Sequence, residues 1–430
     1  MYKSWPLFIL AILAVCSCGG KRTAGEPEFI RESRIPELLF TVPSDALVVM
    51  NFDKCSKGMT MLVDSTASIA RLDLSGFQNS RMALSYIFTG RLIPVLALDA
   101  GKAAADTTEA VKSLMAQADS LGLRQMYLPE GAREGHRACI ILSTSEAALP
   151  SVDRHIETGA SILDAPDFLR AVTQADGRQD MIYFRNSGAD KTLPRNFLSK
   201  FLSRRQLTVF VQKFADWTLL DVSGAPEKVA LDAVRNNEYT YFANLLDDME
   251  SGESKLAQML PAGTDFAIDL IIEGDFRERY EDFLDASVRL DGYKAGLAEL
   301  KESSGISPVA WEKENRIREV AIIHWNNRKV LLVRPAKSPE STEIEPNPYA
   351  GFVAALYGNA FTTENDLYHA SAGHWIISGS EPDVETYINS TSFLQEQGWP
   401  SKDTKFVVYR PGDMVSWTKK GFTANLSLNE

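Results

Sequence analysis

Five histidines, His136, His155, His324, His369 and His374, are the obvious candidates for metal or acid–base chemistry. His369 and His374 stand five apart in Tyr368-His369-Ala370-Ser371-Ala372-Gly373-His374. A helical zinc pair needs a four-residue spacing with a glutamate, and His-Glu-x-x-His does not occur. The Gly- and Ala-rich stretch reads instead as a turn between strands. Gly-x-Ser-x-Gly is absent, so no nucleophile elbow is indicated. The one Ser-x-x-Lys singled out, Ser416-Trp417-Thr418-Lys419, falls in a strand-like segment rather than at a helix start. Gly-x-x-x-x-Gly-Lys and Gly-x-Gly-x-x-Gly are missing, which removes the common phosphate cradles. Asp247-Asp248 with Glu273, Asp275, Glu278 and Glu281 could hold a hard cation, but on helical faces they read as solvated carboxylates. Paired carboxylates for glycoside hydrolysis have no fixed spacing in sequence. Trp217, Trp311, Trp325, Trp375, Trp399 and Trp417 would suit a sugar platform or a packed core. These residues call for no cofactor.

The N-terminus carries a sharper signal. Lys3 precedes an apolar run, Leu7–Val15, which is too short for a membrane span of ~20 residues and suits a signal-peptide core. Val15-Cys16-Ser17-Cys18-Gly19-Gly20 follows and resembles the lipobox of bacterial lipoproteins. That resemblance implies a diacylglyceryl thioether on the cysteine that becomes the first residue. Cys18 has Ser before it, which suits the cleavage position. Cys16 is the alternative, with bulky Val before it. Gly19 to Pro27 reads as a polar tether. By the sorting pattern of lipoproteins, Gly19 after Cys18 points to the outer membrane. Two further cysteines remain, Cys55 and Cys139. In an oxidising compartment they could form a disulfide worth roughly 4–5 kcal/mol by loop closure, or stay as two separately buried thiols.

The chain is 430 residues long, 45% apolar and 24% charged, which is globular composition. Lys plus Arg is 45 against 57 for Asp plus Glu, a net charge of −12. That is a poor balance for nucleic acid, whose phosphates need clustered Lys and Arg. Partners are therefore expected at the membrane, through the lipid, and among envelope proteins, glycans or lipids.

Internal echoes organise the rest. Val42-Pro43-Ser44-Asp45-Ala46-Leu47-Val48-Val49-Met50-Asn51 resembles Leu260-Pro261-Ala262-Gly263-Thr264-Asp265-Phe266-Ala267-Ile268-Asp269. The strand before Ser143-Thr144-Ser145-Glu146 resembles that before Ser378-Gly379-Ser380-Glu381, aligning Ile141 with Ile376. Asp180–Arg185 matches Lys405–Arg410, aligning Tyr183 with Val408. Terminal hairpins are expected from Leu207–Phe214 with Trp217–Val222, and from Met414–Thr418 with Phe422–Leu428. The expected fold is α+β, as two divergent repeats, each a mostly antiparallel sheet with helices packed on one face. The boundaries are 1–18 leader and lipobox, 19–37 tether, 38–225 first half, 226–255 helical linker and 256–430 second half. Helices are expected at Ala103–Leu121, at Arg195–Arg205 (basic), and at Phe276–Leu290 with Tyr280, Phe283, Leu284 and Val288 inward. Asn326-Asn327-Arg328 reads as a hairpin turn, and Pro335–Pro348 as an exposed loop.

The lipobox, the Pro-opened strand, the strand-Ser-x-Ser-Glu unit and Gly159-Ala160-Ser161-Ile162-Leu163-Asp164-Ala165-Pro166-Asp167-Phe168 together resemble Gram-negative envelope lipoproteins of a domain-of-unknown-function family. The resemblance implies an envelope address and no activity. The expectation is a non-enzymatic, lipid-anchored binding or scaffolding protein. An envelope polysaccharide- or peptide-acting hydrolase with unlocated carboxylates, and an apolar-ligand carrier, are the alternatives.

Overall fold

The computed structural model describes residues 35–56, 69–101, 109–131, 137–146, 148–158, 161–192, 211–212, 214–223, 228–234, 241–337, 342–363, 365–390, 399–400, 402–419 and 421–425. Two largely antiparallel sheets with intervening helices make the α+β fold. The strands of the first half are β1 Val48–Phe52, β2 Met82–Phe88, β3 Leu92–Gly101, β4 Arg124–Leu128, β5 Ala138–Ser143, β6 Met181–Arg185, β7 Trp217–Asp221 and β8 Lys228–Val234. Their order across the sheet is β4-β5-β3-β2-β1-β6-β7-β8.

The second half contributes β9 Thr264–Ile271, β10 Glu319–Trp325, β11 Arg328–Arg334, β12 Glu345–Pro346, β13 Tyr368–Ala372, β14 Trp375–Gly379, β15 Thr404–Arg410, β16 Asp413–Thr418 and β17 Gly421–Asn425. Their order is β12-β13-β14-β11-β10-β9-β15-β16-β17. Leaving out β12, the two sheets share one strand order and one set of connections. β8 and β17 also pair, Val229 opposite Ala424, so the ladder runs on from one sheet to the other.

Local sequence explains the entry to each sheet. Ala46 N–H donates to the Pro43 carbonyl, and Thr264 N–H donates to that of Pro261, so each proline turn launches a central strand. Strand alternation then sends residues to opposite faces. Met50, Leu84, Leu96, Ile182 and Phe184 join a core that also holds Phe266, Ile268, Ile322, Val408 and Trp417. Phe214 meets Trp417 edge-on at 5.9 Å within it. Val49, Ala83, Ala97, Ile141 and Tyr183 point the other way, onto helices Leu149–Glu157 and Pro166–Ala175. Helix Glu109–Ser120 packs on the first of these faces through Val111, Leu114 and Ala118. Helical segments therefore cover both faces of the sheet rather than one, because strands buried on both sides need two covers.

Several expectations change. The stretch 226–255 is not a helical linker: Lys228–Val234 is β8, and among the described residues only Phe242–Asp248 is helical. Pairing with β7 and β17 overrides the local composition. The first terminal hairpin is therefore β7–β8, since Val211 and Gln212 are helical and Leu207–Phe210 lie outside the described residues. The second, β16–β17, lies where expected. Helix Phe276–Ala286 buries Phe276, Phe283 and Leu284, but Val288 lies beyond its end, 94% exposed with φ 57°. Asn326 and Asn327, at φ 47° and 62°, form the two-residue turn between β10 and β11. The loop after Pro335 contains β12. The expected Arg195–Arg205 helix lies outside the described residues.

Candidate functional site

The most unusual chemistry lies under the second sheet. β9 reads Thr-Asp-Phe-Ala-Ile-Asp-Leu-Ile, and alternation puts Asp269 on the same face as Ala267. β10 and β11 place Glu319 and Arg334 directly opposite each other at the same end of that face. Asp269 and Glu319 are both fully buried. Over them lies the segment Gly252–Met259, fixed by a bridge from Gly252 to Thr404.

The groups there interlock, with Asp269 Oδ1 left buried and without a hydrogen-bond partner. Ser254 Oγ donates to Asp269 Oδ2 at 2.7 Å, and accepts from Trp399 Nε1 at 2.8 Å. Glu319 accepts backbone N–H bonds from Lys255 at 2.9 Å and Leu256 at 3.1 Å. Arg334 Nε donates to Glu319 Oε2 at 2.5 Å, and its Nη2 donates to the Glu253 carbonyl at 2.8 Å. Burial, then the neighbouring Glu319 charge, pushes the Asp269 carboxyl well above the usual range. Burial also pushes Glu319 up, but Arg334 and the backbone N–H groups pull it back. Asp269 therefore keeps the proton and Glu319 the charge, as two carboxyls in one dry site must divide one ionisation. The arrangement neutralises Arg334 and pins an incoming segment to the sheet.

The first sheet carries other polar groups at the corresponding positions, and they are less buried. Asn51 lies opposite Ala83 as Asp269 lies opposite Ala321. Asn51 Nδ2 donates to the Gln179 carbonyl at 2.7 Å. The single-turn segment Glu37–Thr41 occupies the place of Leu256–Met259, and Glu37 pairs with Arg81 at 3.1 Å and Arg137 at 3.6 Å. Arg137 also reaches Asp99 at 3.4 Å. A second buried cluster joins helices: Arg277 pairs with Glu312, and Tyr357 donates to Glu312 at 2.7 Å. None of these was singled out in the sequence. The available signal was a carboxylate at an inward position of an apolar run, Phe266-Ala267-Ile268-Asp269.

The residues that the sequence did single out are dispersed. Cys18 and Cys16 lie outside the described residues. Cys55 and Cys139 are free and buried on opposite faces of the first sheet, so they do not form a disulfide. Burial pushes the Cys55 thiol up to about 11, and burial with Asp99 pushes Cys139 up to about 12. His369 sits on β13, and His374 in the exposed turn before β14. His324 packs edge-on to Phe266 at 5.7 Å, and burial lowers it to about 4. His136 is not described, nor is the side chain of His155. The six tryptophans are buried in the cores, so they form no exposed platform. Ser416 is buried in mid-strand. Asp275 pairs with Arg279 at 2.7 Å on an exposed helical face.

The described part of the Gly159–Phe168 motif, Ser161–Phe168, is a folding corner. Ser161 Oγ accepts from Leu163 N–H, and Asp164 Oδ2 accepts from Ser161 N–H, a reciprocal cap. Ile162 N–H donates to the Val42 carbonyl, and Phe168 packs edge-on to Trp217 at 4.9 Å. Trp217 donates to Asp167 at 2.9 Å.

Among the described residues, no group of three or more His, Cys, Asp or Glu could hold a metal ion. No helix among them is long and apolar enough to cross a membrane. Comparison with protein-family models, with curated proteins and with solved structures finds no match to this chain.

Proposed function

We propose that the protein is a lipid-anchored component of a bacterial cell envelope that acts by binding rather than by catalysis. The observation that carries this reading is the leader ending in Val15-Cys16-Ser17-Cys18, followed at once by a polar tether. Lipid on Cys18 would hold the two-sheet body at the outer membrane. The seventeen residue-to-residue steps from Cys18 to Ile35 reach at most about 60 Å when fully extended, which sets the distance over which the body can work.

Two observations support binding over hydrolysis. The Asp269–Glu319 pair is fully buried and bridged by Ser254 Oγ, whereas glycosidase carboxyls flank a sugar at ~5–9.5 Å from each other. Three of its four oxygens are also engaged by Ser254, Arg334 and two backbone N–H groups. The apolar cores are filled by interlocked aromatic rings, Phe168 with Tyr183 and Trp217, and Trp325 with Tyr387, which speaks against a carrier cavity there. The shared strand order of the two sheets supports reading the halves as divergent repeats.

Membrane fractionation of the Cys18→Ser and Cys16→Ser variants tests the anchor. Cys16→Ser should stay in the detergent-extractable membrane fraction, and Cys18→Ser should leave it. Retention of Cys18→Ser in that fraction would overturn the proposal.

A further inference from the structure

The second sheet holds a segment down with a group that the first sheet lacks. Leu256 and Leu260 are wholly buried, in one cluster with Ala267, Ala321, Trp325 and Trp375 of the outer face. Tyr387 donates to the Met259 carbonyl at 2.5 Å, and Trp399 to Ser254 at 2.8 Å. Beneath this strap stand two carboxyls and one guanidinium, Asp269, Glu319 and Arg334, so one carboxylate alone is neutralised. Asp269 Oδ1 is buried without a partner. The first sheet has Asn51 in the place of Asp269, and an amide has no proton to lose. Its corresponding segment, Glu37–Thr41, is tied through Glu37 to Arg81 and Arg137 at partly exposed positions.

Charges approach Asp269 from each element packed on it. Glu319 of β10 and Arg334 of β11 act on it directly. On the strap, Lys255 pairs with Glu253 at 2.6 Å, both of them solvent-exposed, and Lys402 acts on Glu253 from the far side. β15 sets uncharged Val407 opposite Asp269 and turns Lys405 to the Leu246 carbonyl at 3.0 Å. The Glu273 side chain lies beside Gly252, where the strap begins. Arg334 is the cation that reaches the pair, and Glu319 already occupies it. A second carboxylate under the closed strap would be buried and uncompensated, which is strongly unfavourable. Lifting the strap returns that carboxylate to water and removes the penalty.

We propose that Gly252–Met259 is a pH-gated strap: when Asp269 gives up its proton the segment lifts off the second sheet, while the corresponding segment of the first sheet stays closed. With the strap closed, Asp269 holds its proton more tightly than an aspartate in water, which ionises near 3.9. Closure is therefore firmest below that value. It weakens as pH rises towards the value of the buried carboxyl, by up to about tenfold in the opening equilibrium per pH unit. The opening is local. The strap's backbone meets the sheet at one bridge, Gly252 to Thr404, whereas β9 is laddered on both sides by β10 and β15. The open strap uncovers the apolar seat of Leu256 and Leu260, ringed by Trp325, Trp375 and Trp399.

Amide hydrogen exchange of the full chain, corrected for the intrinsic effect of pH on amides, tests this between about pH 5 and pH 8, with and without dilute urea. The reporters are the N–H groups of Gly252, Lys255 and Leu256, which are bonded to Thr404 and Glu319 while the strap is closed. Their opening equilibrium should rise at least about tenfold over that range. It should change little with urea, since a local opening exposes little surface. β9 and β10 should stay closed, and Glu37–Thr41 should show no such rise. In Asp269→Asn the strap should respond to neither end of the pH range. Three results would overturn the proposal. One is a wild-type strap whose opening ignores pH, and another is the same rise in Asp269→Asn. The third is strap exchange that follows β9 and β10 in both pH and urea, which makes it part of global unfolding. Should the variant fold poorly, the wild-type contrast between Gly252–Met259 and Glu37–Thr41 decides: an equal rise in both segments also overturns the proposal.

Discussion

Replacing Asp269 with asparagine isolates the proton held in the second sheet. A primary amide offers a donor group beside an acceptor oxygen, as a protonated carboxyl does, and the first sheet already carries Asn51 at this position. The carboxyl of Asp269 is raised by burial and by Glu319, so folded protein keeps its proton after unfolded chain has lost it. The stabilisation from that proton is fully present below the unfolded value near 3.9, and is lost as pH rises towards the folded value. The loss is about 1.4 kcal/mol per pH unit up to the folded value, so at most about 4 kcal/mol between pH 4 and pH 7. Asp269→Asn has no proton to lose. In urea titrations of the mature chain, variant and wild type should match at pH 4, and the variant should be more stable by that amount at pH 7. Glu319→Ala should instead cost about 3–5 kcal/mol at pH 7, because Arg334 loses its partner while mostly buried. A pH-independent difference between Asp269→Asn and wild type would refute the shared-proton reasoning.

Other substitutions test the packing. Phe168→Ala should destabilise by about 3–5 kcal/mol in the same assay and alter Trp217 fluorescence, since the two rings meet edge-on at 4.9 Å. Cys55 and Cys139 should both resist a thiol reagent in native protein and both react in denaturant; intact mass should show no disulfide. Val288→Gly should stabilise by about 1 kcal/mol, because a β-branched residue at φ 57° is strained and this side chain is almost wholly exposed. A loss of stability there would mean that the side chain makes contacts in solution.

The class of the fold was legible, and so was the opening of each sheet. Proline turns before apolar runs marked β1 and β9, and Asn-Asn marked the β10–β11 turn. The later echoes were each misaligned by one residue. With Met50 and Ile268 as counterparts, Ile182 faces Met50 and Val408 faces Ile268, so Tyr183 corresponds to Tyr409 and not to Val408. Likewise Ile141 corresponds to Ile377 rather than Ile376. A one-residue slip reverses every side chain, and alternation normally prevents it. Here β5 and β6 are buried on both faces, so their apolar runs carry no period to fix the register. β8 was read as helix because its partners lie in β7 and in β17, about 190 residues later. The carboxylate pair was hidden for a related reason. Asp269 and Glu319 are fifty residues apart and meet only through strand register.

Anchoring is tested most directly by the N-terminal tryptic peptide of protein extracted from native membranes. Cleavage after Lys21 would release Cys18-Gly19-Gly20-Lys21. Mass spectrometry should find this tetrapeptide carrying a diacylglyceryl group on Cys18. A mature chain that begins elsewhere, with an unmodified terminus, would contradict the lipid anchor and the envelope function built on it.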